Sequence, residues 1–173
     1  KSILEKKIGF TLKEKNILVN FHPSTLEKNK SKTQVKEILS ALKKFKEKKI
    51  IFTSPNADQE NSVIFKEINN FVKQNKNSTF FKSMGSVAYL SCLKFVDVII
   101  GNSSSGLLEA PTLKVPTINI GDRQKGRLKA KSVVDCDIQQ DKIINKLNKF
   151  LKKKKNNKLK NFKNPYGDGG ASK

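Results

Sequence analysis

Four short, nearly unbroken apolar runs constrain the fold most: NILVNF (Asn16–Phe21), KIIFT (Lys49–Thr53), VDVII (Val96–Ile100) and PTINI (Pro116–Ile120). A strand apolar on both faces must be covered on both faces, which points to a parallel sheet between helical layers. The intervening segments have the period of amphipathic helices. Ser31–Lys48 spaces Val35, Ile38, Leu39, Leu42 and Phe45 along one stripe, and Asp58–Asn75 does the same with Val63, Ile64, Ile68, Phe71 and Val72. Ser78–Phe81 and a weaker stretch near Ser132–Val134 read as further strands; Ser86–Phe95, a short run from Leu107, and Gln139–Lys155 read as further helices. The predicted fold class is α/β, a Rossmann-like three-layer parallel sheet. Residues 1–155 form the domain, and residues 156–173 form a polar segment ending in the YGDGG turn.

Charge is the next feature. Lys and Arg number 36 against 15 Asp and Glu, a formal net charge of +21. Clustered cations suit nucleic-acid phosphates, yet 34 of the 36 are Lys, and only Arg123 and Arg127 carry the guanidinium fork that reads phosphate and guanine. The lysines lie along nearly every predicted helix, and Asn is abundant at 17 residues. That composition reads as a solvated lysine surface without a dedicated nucleic-acid partner. No apolar run reaches the ~18–20 residues of a membrane helix. Cys92 and Cys136 are too few and too far apart for a disulfide scaffold, which suits a reducing, cytoplasmic setting. With a single His, they make no zinc site.

In doubly wound sheets, ligands bind beyond the carboxyl ends of the strands. The segments leaving those ends here are HPS, SPN, SMG, GNSSSG and GDRQ. In GNSSSG, small residues admit a close ligand, and hydroxyls with free N–H groups at a helix start suit phosphate; the simpler reading is a serine N-cap. The segment is neither a Walker A loop nor GxGxxG. Glu109, just inside the following helix, can accept two ribose hydroxyls or serve as a carboxylate near a positive helix end. His22 follows a strand and titrates near neutrality. Arg123 clamps an anion or braces its loop. Asn56 reads as a turn residue.

Together, NFHPSTLE (20–27), SPNADQEN (54–61), FKSMGSVAYLSCLKFVDVIIGNSSSGLLEAP (81–111), PTINIGDRQKGR (116–127) and NPYGDGGAS (164–172) resemble the C-terminal, nucleotide-binding half of the hydrolysing UDP-N-acetylglucosamine 2-epimerases. The NSSSG form of the serine loop resembles the hydrolysing branch more than the DSGG form of the non-hydrolysing one. The resemblance implies one half of a two-domain glycosyltransferase-B-type fold. It implies that Ser103 and Ser104 bind the diphosphate, Glu109 holds the ribose hydroxyls, and the backbone at Met84 and Gly85 flanks uracil. Asn56 would line the nucleotide pocket, Arg123 would secure the GDRQ loop and its anion, and His22 would act at the scissile sugar–phosphate bond.

The family reaction eliminates UDP to an unsaturated 2-acetamidoglucal and hydrates it to N-acetylmannosamine, a precursor in sialic-acid-type synthesis, with no redox cofactor or metal. The carboxylates that handle the sugar protons lie in an N-terminal domain absent from this chain. The expectation is therefore a fragment inactive by itself, and a homo-oligomer when intact, with a UDP-sugar as partner. Three alternatives stand beside this: a 2-epimerase for a UDP-diacetamido-trideoxyhexose, a glycosyltransferase donor domain, and a non-catalytic module that binds polyanions through its lysines.

Overall fold

The computed structural model describes residues 1–23, 30–54, 61–152 and 163–167. In chain order the elements are α1 (Ser2–Ile8), β1 (Asn16–Asn20), α2 (Ser31–Leu42), β2 (Lys49–Thr53), α3 (Asn61–Gln74), β3 (Ser78–Phe81), α4 (Gly85–Leu93), β4 (Val98–Gly101), α5 (Ser105–Thr112), β5 (Thr117–Ile120), β6 (Val133–Cys136) and α6 (Gln140–Leu151). Six strands form one sheet in the order β3-β2-β1-β4-β5-β6, and every pairing is parallel. This is the doubly wound Rossmann-like arrangement.

The alternation of side chains along each strand separates the two faces. Ile17, Val19, Ile50, Phe52, Val98, Ile100, Ile118 and Ile120 pack with Ile38, Ile64, Ile68, Ile143 and Leu147, so α2, α3 and α6 cover one face. Leu18, Ile51 and Ile99 pack with Leu4, Ala88, Cys92, Leu93 and Ala110, so α1, α4 and α5 cover the other. The expected three layers are present. Both cysteines are free and buried. No helix of the described residues is long and apolar enough to cross a membrane.

One unread helix and two shifted helix ends stand out against the sequence expectation. The helix α1 goes unread from the sequence because Leu4 alone of its apolar residues is buried, while Ile3 is exposed to solvent. Besides Leu4 and the partly buried Ile8 it is held by polar contacts: the Glu5 carboxylate accepts the Leu12 N–H at 2.7 Å, and the Lys1 ammonium donates to the Leu12 carbonyl at 2.8 Å. The helix α2 stops at Leu42, not Lys48. Beyond it, Lys44, Phe45 and Lys48 donate to carbonyls three residues back, so tight turns keep Phe45 in the core after the helix has ended. The helix α5 starts at Ser105, two residues before the apolar signal. Positions 58–60 and 153–155, at the ends of two expected helices, lie outside the described residues.

The two ends of the sheet differ in chemistry. At the amino end, buried Asp97 accepts the Asn16 N–H at 2.9 Å and pairs with Lys15 at 3.3 Å, which pins β1 to the start of β4. At the carboxyl end, polar side chains cluster.

Candidate functional site at the carboxyl edge of the sheet

Strand order reverses between β1 and β4, because α2 leaves β1 on one face and α5 leaves β4 on the other. A crevice outside such a point is where open α/β sheets bind ligands. Two glycines bring the backbone together there. Gly101 ends β4 at φ +146, and a Cβ on it would lie 2.0 Å from the Asn20 carbonyl oxygen. A Cβ on Gly106 would lie 2.6 Å from Thr117 Cγ2, so only a bare backbone lets the first turn of α5 sit against β5. The Thr117 hydroxyl donates to the Gly106 carbonyl at 3.0 Å and fixes that contact.

Asn102 is the hub of the site. Its Oδ1 accepts the His22 N–H at 2.7 Å, and its Nδ2 donates to the His22 carbonyl at 2.8 Å. Its own carbonyl accepts Arg123 Nη1 at 3.1 Å and Gln124 Nε2 at 2.7 Å. One buried asparagine thus ties the ends of β1, β4 and β5 together. It gathers His22, Arg123 and the start of the serine loop at one edge. The His22 residue is buried at 6% exposure.

Ser103 and Ser104 follow Asn102 directly and are both partly exposed. Ser104 takes the N-cap position of α5 but forms no side-chain cap hydrogen bond. The Ser103 hydroxyl accepts the Ser105 N–H at a long 3.4 Å. The simple N-cap reading of this loop therefore fails for Ser104, and its hydroxyl is not committed to the helix. A helix start with loosely engaged donors favours an anion.

Across the crevice, α4 begins at Gly85, and Met84 packs against the core on that side of the sheet. The Tyr89 hydroxyl lies 2.6 Å from Ser105 Oγ and accepts the Asn20 Nδ2 at 2.6 Å. Burial pushes the Tyr89 phenol above its usual pKa, opposed by hydrogen bonds to Ser105 and Asn20 and reinforced by the Glu109 carboxylate. Glu109 is one turn beyond Ser105 on α5. Its Oε2 is buried and lacks a hydrogen-bond partner among the described residues. It lines a cavity of about 570 Å³ between α4, α5 and the Lys163–Gly167 turn, together with Leu90, Lys94, Thr112, Asn164 and Tyr166. Asn164 anchors that turn to α5 through the Leu108 carbonyl and the Thr112 hydroxyl, both at 2.8 Å.

The structure brings His22, Ser103, Ser104 and Arg123 to one edge and puts Met84, Gly85 and Glu109 on the two helices that flank it. Asn56 lies outside the described residues. Sequence reading missed Asn20, Tyr89, Asn102, Ser105 and Gln124. Asn20 and Asn102 carried the available signal: amides placed at the ends of otherwise apolar strands, where a buried side chain must find partners.

A second cavity, of about 550 Å³, lies beside β6 and α6 and is lined by Lys125, Lys129, Lys142 and Lys146 with Asp122, Asp135 and Asp137. Carboxylates interleave with the lysines: Asp135 pairs with Lys129 at 2.8 Å, and Asp137 with Lys142 at 2.6 Å. This is a mixed-charge surface, unlike the uniform cationic stripe of a phosphate-backbone reader.

The sequence profile of the UDP-N-acetylglucosamine 2-epimerase family matches residues 1–173. This chain belongs to that family. Among its relatives, the GDP/UDP-N,N'-diacetylbacillosamine 2-epimerase (hydrolyzing) of Campylobacter jejuni is 40% identical over 149 residues, covering 85% of this chain and 39% of that protein. The polysialic acid biosynthesis protein P7 of Escherichia coli is 40% identical over 167 residues, covering 96% and 42%. The crystal structure of the Neisseria meningitidis UDP-GlcNAc 2-epimerase bound to UDP-GlcNAc superposes with a TM-score of 0.72 at 20% identity, covering 97% of this chain and 44% of that one. At that identity, the superposition shows a shared epimerase-type fold. The chain spans about two fifths of the length of the curated relatives it matches.

Proposed function

We propose that this chain is the nucleotide-binding, C-terminal half of a hydrolysing 2-epimerase that acts on a UDP-linked 2-acetamido sugar. The observation that carries the reading is the convergence on Asn102: its neighbours Ser103 and Ser104, the His22 backbone and Arg123 meet where the strand order reverses. In this reading residues 1–155 are the UDP-binding domain, and residues 156–173 are a trailing segment whose Asn164 bonds to α5.

The roles follow from the chemistry of the groups. Ser103 and Ser104, at the positive end of α5, hold the diphosphate. Glu109 offers its unpartnered carboxylate oxygen to the ribose hydroxyls. The backbone at Met84 and Gly85 flanks uracil, and Asn56 lines the same pocket. Arg123 holds the GDRQ loop beside the anion. His22, at the end of β1, assists departure of the diphosphate. UDP leaves by elimination across C1–C2 of the sugar, and water adds to the resulting glycal to give the 2-epimer; the two steps together are redox-neutral. Proton removal and return at C2 fall to carboxylates of the other half of the intact protein, so this chain by itself binds UDP and turns over little. In this reading the intact enzyme works in the cytoplasm as an oligomer.

For the sugar, N-acetylglucosamine giving N-acetylmannosamine for sialic-acid-type synthesis is the leading assignment, supported by the family match and by the Escherichia coli relative's name. The Campylobacter jejuni relative supports a second reading, with N,N'-diacetylbacillosamine as the sugar. Incubating the intact gene product with each UDP-sugar separates them. Release of UDP together with the free 2-epimerised amino sugar is expected for one of the two. UDP without any free amino sugar would refute the hydrolysing-epimerase reading and favour a glycosyltransferase donor domain.

A further inference from the structure

The strand register lays a polar row across the carboxyl edge of the sheet: Asn20 is opposite Gly101, Gly101 opposite Asn119, and Asn119 opposite Asp135. Thr53, the last residue of β2, joins the row by donating its hydroxyl to Asn20 Oδ1 at 2.8 Å. By parity these residues face the α4 and α5 layer, as Leu18 and Ile51 do two positions earlier. Asn20 is 3% exposed, so its amide must be satisfied inside the protein.

Counting protons along this row favours one direction. The Asn20 carbonyl is used by Thr53, so its NH₂ is what faces Tyr89, and the phenol oxygen accepts that bond at 2.6 Å. A phenol has one proton. Either oxygen of the 2.6 Å Tyr89–Ser105 pair can donate; with the Asn20 side occupied by a donor, the assignment that uses the phenol's proton sends it to Ser105 Oγ. Burial keeps the phenol protonated through the neutral range. Ser105 Oγ then accepts from inside the protein, and its own hydrogen meets no acceptor among the described residues. Donation along successive hydrogen bonds polarises the last hydroxyl.

The geometry points to Tyr89 as a positioning residue that, through Thr53 and Asn20, turns the Ser105 hydroxyl outward as a donor to an anionic oxygen of the nucleotide's diphosphate. This rests on the UDP reading above and adds Ser105, partly exposed at the first position of α5, to the groups that contact the ligand. The partner of that donor lies one turn along the same helix. Glu109 has a buried oxygen that accepts no hydrogen bond from the described residues, and four residues of helix separate the two by about 6 Å of rise. An outward donor followed by an unfilled acceptor suits a phosphate followed by a diol, the order found in a nucleoside diphosphate.

The test is calorimetric titration of the 173-residue chain and its variants with UDP and with uridine, which lacks the phosphates. Ser105→Ala is expected to weaken UDP about tenfold, near the low end for a hydrogen bond to a charged acceptor, and to leave uridine unchanged. Tyr89→Phe is expected to weaken UDP in the same direction, again sparing uridine, and the double variant to be no weaker than Ser105→Ala, because Tyr89 acts through Ser105. Tyr89→Phe also strands the Asn20 amide. The UDP-to-uridine affinity ratio is therefore the readout, since a loss of folded protein lowers both affinities alike. Tighter or unchanged UDP binding in Tyr89→Phe would mean that Ser105 gives its proton to the phenol, which overturns the proposal. So would additive losses in the double variant, or equal losses for UDP and uridine. If the parent chain binds neither ligand, the nucleotide reading falls as well; if it binds UDP and Ser105→Ala binds equally well, this inference alone falls.

Discussion

Replacing Asn102 with alanine is expected to loosen the whole carboxyl edge. The side chain is 3% exposed and makes two short bonds to one residue, accepting from the His22 N–H at 2.7 Å and donating to the His22 carbonyl at 2.8 Å. Both His22 groups are buried, and alanine offers neither a donor nor an acceptor. A buried polar group left unpaired costs about 1–3 kcal/mol. Losing the two bonds gives an expected loss of about 2 kcal/mol, a substantial part of the ~5–15 kcal/mol by which domains are stable. The bonds from Arg123 and Gln124 go to the Asn102 main chain and survive the substitution. Urea unfolding followed by far-ultraviolet circular dichroism measures the difference. Asn148→Ala, on an exposed face of α6, serves as the control and is expected to change stability by no more than about 0.5 kcal/mol. A loss below about 1 kcal/mol for Asn102→Ala, with the transition slope unchanged, would refute the reasoning, because the His22 groups would then find other partners at no cost.

Four further outcomes are expected. Glu109→Ala should weaken UDP by roughly 1.5–3 kcal/mol in the same titrations, and unchanged affinity would remove it from the ribose role. Gly101→Ala should fail to accumulate as folded protein, because its Cβ would meet the Asn20 carbonyl at 2.0 Å; a normal unfolding transition would contradict the close strand approach. Burial pushes the Asp135 carboxyl up, but Lys129 and Asn119 together hold it below the usual range. A carboxylate with a depressed pKa stabilises the fold above its unfolded pKa and loses that contribution as pH falls through the folded value. Lys129→Met should therefore raise the Asp135 pKa in a carboxyl NMR titration, and an unchanged midpoint would count against the pairing. Burial also pushes the Cys92 thiol up to about 12, so iodoacetamide at pH 8 should leave Cys92 unlabelled in folded protein, as checked by peptide mass spectrometry.

The layered sheet is legible in the sequence because a strand buried on both faces has a local signature. Val98, Ile99 and Ile100 sit in an unbroken apolar run, and all three are buried. The helix α1 is not legible, since its apolar stripe is only Leu4 and Ile8 and it is held as much by Glu5 and Lys1 reaching Leu12. The ligand edge divides in the same way. The serine loop, His22 and Arg123 stand out by residue type and position after strands. The buried row that supports them does not, because Asn20, Tyr89 and Ser105 are separated by as many as 85 positions and meet only through the strand register and the approach of α4 to α5. Asn102 illustrates the limit. Read from the chain it is one polar residue among four in NSSS, and its role comes from three strand ends that only the folded sheet brings together.

Amide chemical-shift mapping with UDP tests the central claim most directly. Perturbations are expected at Met84 and Gly85, along residues 102–109, and at Arg123. Shifts confined to the lysine-lined cavity around Lys142 and Lys146, with residues 102–109 unmoved, would contradict it.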